Sequence, residues 1–146
     1  MRIISRRARP HKITLYNLVS FASGVSTYQR TVIDRVLLDE SYQQRLAQRG
    51  VSTADTAQLI VDLRDIDATD DRTYLSAKEW TALADKTARF TFNPVNDFFI
   101  AGEVNDTLPA MTKQQMIAKY KCYSVTSAAT PASDQSGPVI LEITGR

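Results

Sequence analysis

A chain of 146 residues is the length of one ordinary domain, and 43% apolar with 23% charged residues excludes disorder throughout. Eighteen Lys and Arg against sixteen Asp and Glu leave only +2, too balanced for a coat that grips nucleic acid by charge alone. The single cysteine, Cys122, excludes an internal disulfide, and the single histidine, His11, leaves Ser-His-Asp and HExxH chemistry almost nothing to build on.

Residues 1–12 carry Arg2, Arg6, Arg7, Arg9 and Lys12 with no acid among them. Pro10 stops a helix from running through into the first apolar segment. The segment reads as a basic arm outside the folded domain, either solvated or laid on an acidic partner or DNA. Removing residues 1–9 should then leave the melting temperature nearly unchanged. The basic start lacks the apolar run of a signal peptide, and no stretch approaches the ~20 apolar residues of a spanning helix. A soluble protein made in the cytoplasm is expected, with no membrane partner.

Residues 13–17 (ITLYN) alternate and are β-branched or aromatic at most positions, which predicts the first strand. Ser23-Gly24 is a turn signal. Residues 28–38 (YQRTVIDRVLL) predict a long strand. Thr31, Ile33, Arg35 and Leu37 fall on one face, and Arg30, Val32, Asp34, Val36 and Leu38 on the other. Neither face is cleanly apolar, so either both sides are covered or one meets a neighbouring chain. Residues 39–55 have no strand pattern and are long for a plain connection, the mark of a functional loop. A short helix through Tyr42, Leu46 and Arg49, ending at Gly50, fits its first half.

Residues 56–63 return to strand and lead into an acidic turn over 65–71. Ser76, with Glu79 three residues later, predicts a capping box, and Trp80, Leu83 and Ala84 the inward stripe of a short helix. Trp80 is expected to be a core anchor. Residues 90–92 read as a strand, Asn93-Pro94 and Asn96-Asp97 as a turn, and 98–104 as a strand bulged at Gly102. Thr112 and Gln115 predict a second capped helix, with Met116 and Ile117 inward. In 120–126, Tyr120, Cys122 and Ser124 share one face, and Lys121, Tyr123 and Val125 the other. Residues 128–137 read as a small-residue loop and 139–144 as the closing strand. The sum is a mainly β fold: a small antiparallel β-barrel or sandwich with one or two short α-helices. One domain over 13–146 succeeds the arm, without repeats.

No pattern supplies a catalytic site. The only candidate metal cluster is the run Asp62, Asp65, Asp67, Asp70 and Asp71. Asp70-Asp71 is followed by Arg72 and Thr73, without the glycine and closing glutamate of a calcium loop, so it reads as a solvated acidic turn. Phosphate-binding glycine loops and GxSxG are absent from the sequence, and Cys122 has no base near it. No cofactor is expected, and no enzyme.

The segments ITLYN, YQRTVIDRVLL, YLSAKEW, FNPVNDFFIAGEV, YKCYSVTS and the final LEITGR succeed one another in a characteristic order. That order, over residues 13–146, resembles the small head–tail connector proteins of tailed bacteriophages, the minor capsid or head-completion family. The resemblance implies a structural virion protein of the phage neck, assembled in the host cytoplasm. It implies a homo-oligomeric ring, six- or twelve-fold, between the portal or adaptor above and the tail terminator or tail tube below. In stopper-type members the loop after the second strand enters the DNA channel; residues 39–55 occupy that place, with Tyr42, Arg45 and Arg49 as inter-subunit or channel contacts. The longer basic arm and the extra capped helix in 104–119 depart from the family pattern. The arm is expected to meet the acidic turn of a neighbour, at Asp65, Asp67, Asp70 and Asp71, or else portal, adaptor or double-stranded DNA. A tail terminator is the alternative within the same class. A nucleic-acid-binding β-barrel is a second alternative, and a small hydrolase a third, disfavoured by the lone His11.

Overall fold

A computed structural model describes residues 9–40, 56–134 and 137–146. Over these residues the chain folds as a closed six-stranded antiparallel β-barrel with two short helices. The barrel strands are β1 (His11–Ala22), β2 (Val25–Asp39), β3 (Ala57–Asp62), β7 (Phe98–Ala101), β8 (Cys122–Asp134) and β9 (Gly137–Gly145). Around the barrel they run β1-β7-β8-β9-β3-β2, and the pairing of β2 with β1 closes it. The two-residue strand β4 (Asp67–Ala68) flanks β2, while β5 (Thr73–Tyr74) and β6 (Arg89–Phe90) form a separate parallel pair. Helices α1 (Ala77–Ala82) and α2 (Lys113–Lys119) lie in the connections.

β1 and β2 meet at Ser23-Gly24, where both residues have positive φ, 54° and 77°. This two-residue turn matches the right-handed twist of the paired strands. The unclean alternation of β2 has its cause at Arg35, which sits at φ 65° as a bulge where the β1 register slips between His11 and Lys12. The extra residue flips the pleat. Thr31 and Ile33 before it, and Val36 and Leu38 after it, are therefore all buried. The face assignment that put Val36 and Leu38 opposite Ile33 is corrected accordingly.

Two apolar clusters form. Ile13, Leu15, Ile33, Val36, Leu59, Val61, Phe99, Tyr123, Leu141 and Ile143 are among the residues of the barrel interior. Outside β1 and β7, Tyr16, Phe98 and Ile100 pack with Val104, Leu108 and Met116 of the 102–120 segment. Both faces of β1 and β7 are thus covered, which is why Phe98, Phe99 and Ile100 run on without a polar break.

Several expectations are corrected. Residues 128–137 are not a loop: β8 runs to Asp134 and β9 starts at Gly137, with Ala128 opposite Ile143 and Ala129 opposite Glu142. Pairing with β9 overrides the weak strand propensity of alanine and serine. β7 stops at Ala101, and Gly102 (φ 82°) turns the chain, its N–H reaching the Lys12 carbonyl at 2.7 Å. Ile117 is 55% exposed, leaving Met116 as the buried residue of α2. Ala84 is exposed and Leu83 caps the end of α1, so Trp80 alone is buried there. At α1, Ser76 Oγ accepts the Glu79 N–H while donating to Glu79 Oε1; the reciprocal box forms only at Thr112 and Gln115.

Gly145 closes β9 in a space without room for a side chain. A Cβ there would lie 2.8 Å from Tyr123 Cβ and 2.9 Å from two atoms of the Phe99 ring. Gly145→Ala is expected to lower stability by roughly 1–3 kcal/mol. Thermal unfolding checks this; an unchanged melting temperature would show that the strand shifts freely.

Candidate functional site

The bulge at Arg35 aims charge at the acidic turn. Arg9 is only 2% exposed; its guanidinium donates to the Arg35 carbonyl (3.2 Å), the Asp65 carbonyl (3.0 Å) and Asp65 Oδ2 (3.0 Å). Arg35 adds a bond to Asp65 Oδ1 at 3.3 Å and an ion pair with Asp67 at 3.1 Å. Buried Asp62, on the preceding strand, accepts from the backbone and side chain of Arg64. Arg72 donates to the carbonyls of Arg30 (2.7 Å) and Thr87 (2.9 Å), and burial lowers its pKa.

Arg9 and Asp65 of the acidic turn meet within one chain. Arg9 and Lys12 belong to the barrel, since β1 begins at His11 and Lys12 pairs with Asp34. The boundary of the arm at residue 12 is corrected on this point. Loss of residues 1–9 is accordingly expected to lower the melting temperature, not to leave it unchanged. Arg9→Ala should cost about 2 kcal/mol, because it strips a charged donor from a carboxylate and two carbonyls. Equal unfolding midpoints in denaturant for Arg9→Ala and the parent would overturn this. Arg2, Arg6 and Arg7, and the loop contacts Tyr42, Arg45 and Arg49, lie outside the described residues. Asp70 and Asp71 stay exposed, both at φ 55°, with Asp70 3.9 Å from Arg72.

Sequence reasoning missed a second polar centre. Asp97 is 2% exposed at the foot of β7. Its Oδ1 accepts the Leu18 N–H (3.0 Å); its Oδ2 accepts Asn17 Nδ2 (2.7 Å) and the Asn93 N–H (2.9 Å). Its own carbonyl takes the Val125 N–H. One residue thus ties β1, the turn before β7, and β8. Burial pushes its pKa up to about 6, held back by those donors and by Lys113. On the other face of β1, Tyr16 stacks on Phe98 and donates to the Asp106 carbonyl at 2.6 Å. Burial, first of all, pushes the Tyr16 hydroxyl up to about 12. The Asp106 carboxylate takes bonds from Tyr120 and Lys119, which hold its pKa below the ordinary range. The only signal for this centre in the sequence is an aspartate set between a turn and an apolar strand.

The lone histidine is an end cap: His11 Nδ1 accepts the Leu38 N–H at 3.0 Å. Cys122 is half-buried beside Tyr120, and burial pushes its thiol up to about 11. Among the described residues no three His, Cys, Asp or Glu side chains converge as metal ligands would. Among the described residues no helix is long and apolar enough to cross a membrane.

Comparison with known proteins adds one finding. No curated protein and no solved structure matches the chain. One family model does match, over residues 9–136, starting at the buried arginine that opens the fold. The chain belongs to DUF6751, a family of unknown function.

Proposed function

We propose that this chain is a non-enzymatic structural subunit of a tailed-phage virion, forming a ring in the neck that joins portal or adaptor to tail and helps close the DNA channel. The observation that carries the reading is where the buried ionisable side chains go. Arg9, Asp62 and Asp97 each fasten a connection to the barrel wall. Such a body is braced to hold its shape under load, as a ring subunit between two neighbours must be. The order of segments supports the same reading. The quoted pieces also carry the bracing contacts: Asn17 in ITLYN, Trp80 in YLSAKEW, Asp97 in FNPVNDFFIAGEV and Gly145 in LEITGR. The ends of β2 and β3 lie side by side, since Asp39 pairs with Gln58.

Particles made without this chain should yield filled heads that leak DNA and fail to join tails, and electron microscopy of the neck should show a missing layer. Intact, infectious particles without it would overturn the proposal.

A further inference from the structure

A groove opens between the β1–β2 hairpin and the 102–120 segment. It has a volume of about 440 Å³, and its lining includes Val25 and Ser26 on one side and Leu108, Pro109, Met111 and Lys113 on the other. A space of that size is on the scale of small-molecule sites. Its walls are of two kinds. Val25 is 45% exposed and Pro109 is exposed, so apolar surface stands open to a ligand. Half-buried Lys113 brings the groove its single charge.

Lys113 differs from the other half-buried cations among the described residues. Lys12 reaches Glu103, Arg35 reaches Asp65, and Arg30, Arg72, Lys86 and Arg89 reach main-chain carbonyls. Lys113 Nζ has no oxygen partner among these residues; it lies over the Phe98 ring, 5.4 Å from the centroid. Asp97 feels its charge, but both Asp97 oxygens are already taken by Leu18, Asn93 and Asn17. The hydroxyls of Ser26 and Thr112 and the amide of Gln114 stand in the same lining, groups that can donate to an anion beside the ammonium.

One cation among apolar walls sets the chemistry of the occupant. Nucleic acid binds through several cations acting together, and this groove has one. A neutral apolar body would leave the ammonium unanswered. A single carboxylate on an apolar chain meets both kinds of wall, and a bond between two charged groups is the strong kind of hydrogen bond. We propose that the groove is a binding site for a small apolar carboxylic acid, its chain against Val25, Leu108, Pro109 and Met111 and its carboxylate on Lys113. The lysine has only to swing away from the Phe98 ring, on a flexible four-carbon stem. The proposal goes beyond the neck reading and stands apart from it, because it concerns the purified chain and needs no particle.

Calorimetric titration of the full chain with octanoate, kept below its micelle concentration, tests it; octanol supplies the chain without the charge, and acetate the charge without the chain. Octanoate should bind at a single site and shift the backbone amide NMR signals of residues 24–26 and 111–114. Octanol and acetate should each bind at least about tenfold more weakly. Lys113→Met should keep the parent's melting curve yet lose at least about tenfold in octanoate affinity, while Lys113→Arg retains it. Lys78→Met, the same change at an exposed lysine on α1, should bind like the parent. Should Lys113→Met fail to fold, Val25→Glu decides instead: it sets a negative charge at an exposed position of the groove and should repel octanoate. No binding of octanoate, octanol bound as tightly, or an unchanged affinity in these groove variants would overturn the proposal. So would association of the ligand-free parent that Lys113→Met abolishes, since the groove would then belong to a second copy of the chain.

Discussion

Asp97→Ala is expected to lower stability by roughly 3–5 kcal/mol, because it takes an acceptor from three donors in the barrel wall, of which only the Asn17 amide keeps another, the Thr91 carbonyl. Two are backbone N–H groups, on Leu18 and Asn93, that cannot turn toward water. Asp97→Asn should fall between the parent and alanine: its one oxygen can serve Asn17 and Asn93 while its amide group confronts the Leu18 N–H. The same carboxyl makes stability depend on pH. Its pKa near 6 in the fold lies above the ordinary 3.8, so folding takes up a proton between these values. This contribution is fully present below about pH 4, falls away as pH rises through 6, and is level above about 7. Its amplitude is about 3 kcal/mol for a shift of this size. Unfolding midpoints at pH 5 and pH 7 measure it: the parent should be more stable at pH 5, and Asp97→Asn should flatten that difference. An identical slope in both proteins would assign the effect to another group.

Trp80→Ala should cost about 3–5 kcal/mol and lower the melting temperature by roughly 10 °C. α1 has only six residues, too few to persist without tertiary contacts, and Trp80 is its one buried side chain. The indole is 3% exposed, and Lys86 Nζ lies 5.7 Å from its ring centroid. It also walls a shallow hollow with Leu18, Val19 and Asn93, close to the base of the long hairpin. Its loss therefore loosens the 75–88 segment as well as the helix. Trp80→Phe should recover most of the loss. An alanine variant that melts with the parent would show that the helix is held by its cap and its neighbours alone.

The barrel class was legible because most strands carry a local signal. ITLYN, the TAQLIVDL run and VILEIT are rich in branched and aromatic residues, and Ser23-Gly24 marks the turn they need. Thr112 and Gln115 announced their helix correctly, for a reciprocal cap is a purely local device. What failed depends on distant partners. The bulge at Arg35 exists because His11 and Lys12 slip past it, and no pattern within β2 reveals that. The outer half of β8 is alanine, serine and threonine, and becomes strand only by lying against β9. The Asp97 centre was illegible for the same reason: its donors come from positions 17, 18 and 93. Arg9 looked like one of five similar cations, and only the fold sets it apart by burying it.

The directions of the strands give the barrel a head and a foot. β1 runs toward its hairpin turn at Ser23-Gly24, and β8 runs alongside in the same sense toward its junction with β9, because both are antiparallel to β7 between them. The two hairpins therefore reverse at one end. At the other end β2 departs at Asp39, β3 returns at Ala57, and β9 delivers Gly145 opposite Ala57. His11, against Val36 and Leu38, opens β1 near that same end. A reporter fused after Arg146 thus issues from the foot and leaves the hairpin head unobstructed. A fusion there is accordingly a vectorial label. Stacked in any layered assembly, it would report which way up the subunit stands.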